Sequence, residues 1–140
     1  METISLVAAD GLAESDAIAI VRRLSRQGSE WQIEVAGILA GEASSATPVA
    51  LWHSDGCLAA WACSHFWREQ QTLEQFTDTR YRNRGIATAL AAFLRSAGII
   101  APASRLAVFS PHSYRIATRL GFSEVWRYER SGGEWLPVEP

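Results

Sequence analysis

The sequence predicts a mixed α/β (α+β) fold, and three observations support this class. First, apolar patterns typical of strands and helices follow one another in the order β-α-α-β-β-β-α-β-α-β-β. Second, 140 residues suit one domain with its own core, so we expect a single domain over residues 1–140. Third, 48% hydrophobic and 20% charged residues are typical of a soluble globular protein.

The first half of the chain predicts a strand, two helices and a β-hairpin. The second helix is the weaker of the two, because its apolar residues do not form a firm stripe. Asp55-Gly56 is typical of a hairpin turn, and the small or apolar residues after it suit a central strand covered on both faces. The predicted elements are a strand at 4–7, helices at 13–27 and 30–40, a loop at 41–47, and hairpin strands at 49–53 and 57–66.

The second half predicts two strand-to-helix units and a final hairpin. Ile86, Leu90, Phe93, Leu94 and Ala97 form one apolar helical stripe. In the second unit, serine, proline and glycine stand where they commonly start and end a helix. The predicted elements are a turn at 67–71, a strand at 73–78, a helix from 86, a strand at 105–109, a helix at 111–120 capped by Ser110, and hairpin strands at 123–130 and 134–138.

The two cysteines, Cys57 and Cys63, are expected to be free thiols. Six residues apart in one strand, they would lie on the same face roughly 20 Å from each other, too far for a disulfide. Their spacing from His53 and His65 fits no common zinc pattern, so no metal site is expected. The N-terminus does not resemble a secretory signal, and no apolar run is long enough to cross a membrane, which together predict a cytoplasmic protein.

The turn before the third helix has the chemistry of a phosphate-binding site. It holds three arginines and Gly85, at a point where an extended run becomes a helix. The first turn of a helix has unpaired N–H groups and a partial positive charge, so it binds phosphate readily. Glycine also lets the backbone approach a ligand closely. We therefore interpret this turn as a pyrophosphate-binding site, although an ordinary turn with solvated arginines is the alternative.

The distribution of charge favours the binding site. Residues 80–119 contain seven arginines and no Asp or Glu, whereas the whole chain has a net charge of −2. A local positive field within an acidic protein suggests an anionic partner held at one place. Nucleic acid is a less favoured partner, because the overall acidity argues against a broad basic face.

Residues 82–87, Arg-Asn-Arg-Gly-Ile-Ala, resemble the Arg/Gln-x-x-Gly-x-Gly/Ala coenzyme A signature of the GNAT superfamily of acyltransferases. The strand at 105–109, a short helix and Leu120-Gly121-Phe122 follow in the order typical of GNAT chains, so the resemblance covers about residues 57–130. It implies a mixed, mainly antiparallel sheet of about seven strands, with a splayed parallel pair and helices on both faces.

The resemblance also implies the site residues. Acetyl-CoA would be the acyl donor, and a small-molecule, peptide or protein amine would be the acceptor; a homodimer is also possible. The general acid is in doubt, because Ala117 stands where many GNAT enzymes have a tyrosine. The expected donor-binding residues are Phe76, Thr77, Asp78, Arg82, Asn83, Arg84, Gly85, Ile86, Ala87 and Thr88, and the expected catalytic residues are Glu74 as base with Tyr114 or Ser110 as acid.

Two alternatives remain at this stage. For Glu74 the simpler interpretation is a solvated strand residue or a partner for arginine, and Glu69, His65 and His112 are other candidate bases. For the whole protein, the alternative to an N-acetyltransferase is a GNAT-fold coenzyme A sensor or partner-binding module without turnover.

Overall fold

The computed structural model describes residues 1–22 and 30–138, which contain eight strands and four helices. The strands are β1 (Glu2–Ala8), β2 (Pro48–Ser54), β3 (Cys57–Cys63), β4 (Phe66–Trp67), β5 (Gln70–Thr77), β6 (Arg105–Val108), β7 (Glu124–Ser131) and β8 (Glu134–Val138). The helices are α1 (Glu14–Arg22), α2 (Glu30–Leu39), α3 (Ile86–Ser96) and α4 (Pro111–Arg119). The first helix was predicted to run to residue 27, but the part beyond Arg22 lies outside the described residues.

All eight strands belong to one mixed sheet. Seven strands follow the order β1-β2-β3-β5-β6-β7-β8, and the two-residue β4 pairs with β5 beside this path. The pairings β5·β6 and β6·β7 are parallel, and the others are antiparallel. The predicted class is therefore confirmed. A second parallel pairing adds to the expected one, because α4 carries the chain back before β7 starts.

The helices cover both faces of the sheet. On one face, Leu90 and Leu94 of α3 and Ile116 of α4 pack with Leu73 and Leu106 of the sheet, all of them buried. On the other face, α1 and α2 pack against β2 and β3, and the buried residues there include Ile20, Val35, Val49, Trp61 and Cys63. Each such aliphatic side chain contributes about 1.5–3 kcal/mol when it leaves water. The central strands are apolar on both sides because both sides face helices.

Strand β5 begins at Gln70, inside the segment predicted as a turn. Its first two residues are polar, yet both have partners: Gln70 Nε2 donates to the hydroxyl of Tyr128 over 2.9 Å, and Gln71 Nε2 donates to the carbonyl of Ile99 over 2.8 Å. The turn before it is shorter and contains β4, with Glu69 at a positive φ of 63°. Strand β3 was predicted to run to residue 66, but it ends at Cys63, and Phe66 belongs to the separate strand β4.

A β-bulge interrupts β3 between its two cysteines. Trp52 pairs with Ala60 while His53 pairs with Leu58, so β3 holds one extra residue at Ala59. The alternation shifts there, and Leu58 packs on the same face as Trp61 and Cys63. Cys57, at the start of β3, is exposed and Cys63, at its end, is buried, both as free thiols.

None of the helices in residues 1–22 and 30–138 is long and apolar enough to span a lipid bilayer.

Candidate active site

The parallel strands β5 and β6 separate halfway along β5. Their pairing covers only Gln71 to Leu73, opposite Leu106 to Val108. Strand β5 continues to Thr77, where its other edge still pairs with β3. We call the opening between residues 74–77 and the end of β6 the fork. It lies where the resemblance to GNAT chains implied a splayed parallel pair.

A cleft of about 450 Å³ begins at the fork and extends to the start of α3. Both its strand side and its helix side contribute polar groups and backbone. The lining residues are Gln75, Phe76, Thr77, Tyr81, Arg82, Asn83, Gly85, Ile86, Ala87, Thr88, Ser110, His112 and Ser113.

The N-terminus of α3 has no capping side chain. Gly85 occupies the cap position with φ 75° and ψ 10°, a left-handed conformation that glycine adopts without strain. By contrast, Ser110 caps α4 by accepting a hydrogen bond from the Ser113 N–H over 3.1 Å. A Cβ at Gly85 would meet no atom within 4 Å, so the space beside the helix end is open. The first N–H groups of α3 are therefore available to an anion in the cleft.

Three arginines flank this helix end, and one of them is paired. Asp78 accepts from both the backbone N–H and the Nε of Arg80, over 3.1 and 3.2 Å. The hydrogen bond and the charge of Asp78 raise the pKa of the Arg80 guanidinium. Arg82 Nε donates to the carbonyl of Thr77 over 3.1 Å, which ties its side chain to the end of β5. Arg84 lies against the ring of Tyr81, 5.5 Å from its centre.

The structure brings most of the predicted donor-binding residues to the cleft. Asp78 and Arg84 are not among the described lining residues. Asp78 instead caps the turn at Thr79–Tyr81 and borders a second cleft, of about 350 Å³, on the α1 side of the sheet. Of the three predicted catalytic residues, Ser110 lines the first cleft, whereas Tyr114 is half-buried against the core beside α3.

Glu74 lies on the opposite face of the sheet from the cleft floor. It is the first residue of β5 beyond the last β5·β6 pair, so it stands at the fork itself. Cys63 pairs directly with it across β3·β5, and the Cys63 Sγ lies 4.0 Å from Glu74 Oε2. A ring nitrogen of His65 completes a group whose three ligand-type atoms all lie within 4.8 Å of one another. Burial raises the pKa of the Cys63 thiol well above its ordinary value, and the charges of Glu74 and Glu34 add to this.

Sequence analysis missed three residues of the cleft, Gln75, Tyr81 and Ser113, and named His112 only as an alternative base. Gln75 connects three elements, because its Nε2 donates to the Ala87 carbonyl over 2.6 Å and its Oε1 accepts from the Ser113 hydroxyl over 3.4 Å. The sequence signal for Gln75 was its polar side chain at a position of a buried strand that faces a helix.

Comparison with solved structures identifies the architecture. Escherichia coli ElaA matches with a TM-score of 0.65 and 14% identity, over 98% of this chain and 97% of the other. A predicted acetyltransferase with acetyl-CoA from Clostridium acetobutylicum matches at 0.57 and 13%, over 99% and 96%. A putative acetyltransferase of the GNAT family from Xanthomonas campestris matches at 0.57 and 17%, over 86% and 84%. The protein has the GNAT fold.

At these identities the likeness establishes the GNAT fold and not the activity. No protein-family profile matches the chain, and no curated protein matches it in sequence.

Proposed function

We propose that this protein is an N-acetyltransferase that moves an acetyl group from acetyl-CoA directly to a primary amine. The uncapped N-terminus of α3, which opens behind the left-handed Gly85 into the cleft at the fork, carries the proposal. In this proposal residues 1–140 form one acyltransferase domain in the cytoplasm. The coverage of ElaA, 98% of this chain, supports the single domain.

The residues present fit the diphosphate of the donor. The N–H groups of Ile86, Ala87 and Thr88 receive no cap from Gly85, and a phosphate oxygen accepts hydrogen bonds from such groups. Arg82 and Arg84 add positive charge beside them, while Arg80 is engaged with Asp78. Residues 75–77 lie beyond the β5·β6 pairing and line the cleft, so their carbonyls and amides would contact the rest of the donor along the fork.

Glu74 is the proposed general base. Because its side chain faces α1 and α2 while the donor cleft lies on the α3 side, the acceptor would reach the fork from the opposite face. The amine would lose a proton to Glu74, directly or through water, as its nitrogen forms the new C–N bond. The C–S bond breaks, and the sulfur leaves as thiolate or takes a proton from Ser110, Tyr114 or solvent. A thiol with a pKa of about 8.5 leaves without an obligatory acid.

The test combines a thiol-release assay on a broad panel of amines with a donor-binding measurement. Glu74→Gln should lower kcat by about 10²–10⁴-fold, the usual contribution of a general base, and leave donor affinity unchanged. Glu69→Gln tests the alternative base named from the sequence; because Glu69 is an exposed carboxylate in the turn before β5, this variant should keep the wild-type kcat. Equal kcat in Glu74→Gln and the wild type would remove Glu74 from the mechanism.

A coenzyme A sensor without turnover is the second candidate, and one observation favours it. Ala117, at the position where GNAT enzymes often have a tyrosine, is fully buried in the core and supplies no hydroxyl. If the protein binds acetyl-CoA tightly while no amine on the panel is acylated, the sensor replaces the enzyme. The acceptor of the enzyme would be a small molecule, a peptide or a protein, and both candidates allow a homodimer.

A further inference from the structure

The group formed by Cys63, His65 and Glu74 has the composition of a zinc site. Thiolate, imidazole and carboxylate are the three ligand types that Zn²⁺ takes from proteins, and catalytic or exchangeable sites use three protein ligands with one position left to water. Cys63 and Glu74 lie on the adjacent strands β3 and β5, His65 lies in the short connection between β3 and β4, and the three ligand-type atoms lie within 4.8 Å of one another.

Strand register explains why the three side chains meet. Cys63 pairs directly with Glu74 across β3·β5. The chain then continues two residues to His65, whose carbonyl accepts from the backbone N–H of Thr72 over 2.9 Å. Residues two apart in extended chain point to the same face, so Cys63 and His65 on one chain face Glu74 and Thr72 on the other.

The distances suit a metal after a small side-chain adjustment. Ligand atoms 2.0–2.3 Å from a tetrahedral Zn²⁺ lie roughly 3.3–3.8 Å apart. The Cys63 Sγ and Glu74 Oε2 are already 4.0 Å apart, and no pair exceeds 4.8 Å. Rotation about side-chain bonds covers a difference of this size, and the strands need not move.

Thr72 orients the imidazole. Its hydroxyl oxygen lies 3.1 Å from the backbone N of His65, 3.2 Å from the ring Nδ1 and 3.2 Å from the carbonyl oxygen of the same residue. All three contacts are satisfied when the hydroxyl donates to the carbonyl and accepts from the two N–H groups. This arrangement puts the proton on Nδ1 and the lone pair on Nε2. Metal-binding histidines are typically oriented by such a hydrogen bond to the other ring nitrogen.

The surroundings also favour a cation over a reactive thiol. Two carboxylates, Glu74 and Glu34, act on the Cys63 sulfur, and both are negative. A nucleophilic cysteine needs positive neighbours and access to solvent, and Cys63 has no exposed surface. We propose that Cys63, His65 and Glu74 form a site for Zn²⁺, and that zinc occupies the Glu74 carboxylate at the fork and so inhibits acyl transfer. The binding part stands alone, and the inhibition part rests on the proposed function.

The binding test uses chelator-treated protein titrated with Zn²⁺ against a chromophoric competitor, and Co²⁺ as a spectroscopic probe. We expect one equivalent of metal and a thiolate-to-cobalt charge-transfer band. Cys63→Ser should abolish the band, and Cys63→Ser, His65→Ala and Glu74→Gln should each lower zinc affinity by about 100-fold or more. Thr72→Val, which removes only the orienting hydroxyl, should lower it by about 10- to 100-fold.

Cys57→Ser is the matched control, because Cys57 is the exposed thiol at the other end of the same strand. It should keep the wild-type affinity and the cobalt band. Circular dichroism and a melting curve verify that each variant is folded. Because the His65 side chain is only partly buried, His65→Ala should disturb folding less than Cys63→Ser. Absence of stoichiometric zinc binding, or affinity that depends on Cys57 and not on Cys63, would overturn the site.

The inhibition test measures the rate of thiol release with and without one equivalent of Zn²⁺. The wild type should slow by about 100-fold, the cost of losing a general base. The ratio of the two rates should approach one in His65→Ala. Zinc binding in a protein that acylates no amine would leave the site in place and reject the proposed function. Acyl transfer without zinc binding would support the proposed function and reject the zinc site.

Discussion

Two glycines at opposite ends of α3 allow donor binding to be separated from stability. Gly85 precedes the helix and Gly98 follows it, and both have φ 75°. An added Cβ would meet no atom within 4 Å at either position. Gly85→Ala and Gly98→Ala therefore impose the same backbone strain without a clash, and only the first changes the proposed phosphate-binding turn. We expect both variants to lose the same stability and only one to lose donor binding.

The expected magnitudes follow from the backbone and from charge. Alanine in a left-handed conformation costs about 1–2 kcal/mol, which lowers Tm by roughly 3–10 °C in a chain of this size. At a concentration 100 times Kd, acetyl-CoA stabilises the wild type by about 2.7 kcal/mol. A carboxylate placed about 4 Å from a phosphate by Gly85→Glu is repelled by roughly 1–4 kcal/mol. Binding then weakens roughly fivefold to several hundredfold, and the stabilisation falls to about 0.1–1.8 kcal/mol.

Thermal melting with and without acetyl-CoA measures both quantities. Gly98→Ala should melt earlier than the wild type and gain the full ligand shift. Gly85→Ala should melt equally early and gain less, and Gly85→Glu should gain least. An undiminished shift in folded Gly85→Glu protein would refute the assignment of the phosphates to this helix end. A reduced shift in Gly98→Ala would show that strain in α3, and not the turn, controls binding.

Three further predictions follow from the same contacts. Maleimide at neutral pH should label exposed Cys57 quickly and Cys63 slowly, because burial shields the Cys63 thiol and raises its pKa. Mass spectrometry of digests after brief labelling measures the order, and faster labelling of Cys63 would contradict its burial. Ser110→Ala should cost about 1 kcal/mol of stability as a lost cap and lower kcat about tenfold or more if its hydroxyl donates a proton, whereas Tyr114→Phe should leave kcat nearly unchanged. Donor binding should survive moderate salt while duplex DNA binds weakly, and a steep salt dependence of nucleic-acid binding would favour the basic segment as a polynucleotide site.

The helix α3 and the turn before it were predictable because their signals are local. A glycine at the junction, an apolar stripe of period 3.6 and an acid-free run of arginines all lie within one stretch of sequence. The structure places the buried positions Ile86, Leu90 and Leu94 on the predicted stripe, and exposes Ala97 because the helix ends at Ser96.

The start of β5 was not predictable in the same way. Gln70 and Gln71 are polar, and in the strand their Nε2 groups donate to Tyr128 and Ile99, which belong to distant elements, while the buried Gln70 Oε1 has no hydrogen-bond partner among the described residues. Burying an amide without such partners would be unfavourable. Knowledge of those partners requires the assembled sheet, so a local pattern places the strand too late.

The group of Cys63, His65 and Glu74 was likewise not predictable from local sequence patterns. Zinc patterns in sequence rely on ligands spaced along one chain segment, and only Cys63 and His65 satisfy a close spacing here. Glu74 joins them through the β3·β5 register, which depends on the turn at β4. A one-residue change in that register would turn Glu74 to the other face of the sheet.

For the proposed acyl transfer, Ser110 is a better candidate than Tyr114 to donate a proton to the leaving thiol. Ala117 is fully buried, so the position usual for a tyrosine acid offers no hydroxyl without repacking the core. Tyr114 packs against the hydrophobic cluster and is not among the described residues that line the cleft. Ser110 lines it, and its oxygen caps α4 by accepting from the Ser113 N–H. A hydroxyl that accepts one hydrogen bond retains its own hydrogen for donation, so Ser110 can cap the helix and still protonate a group in the cleft.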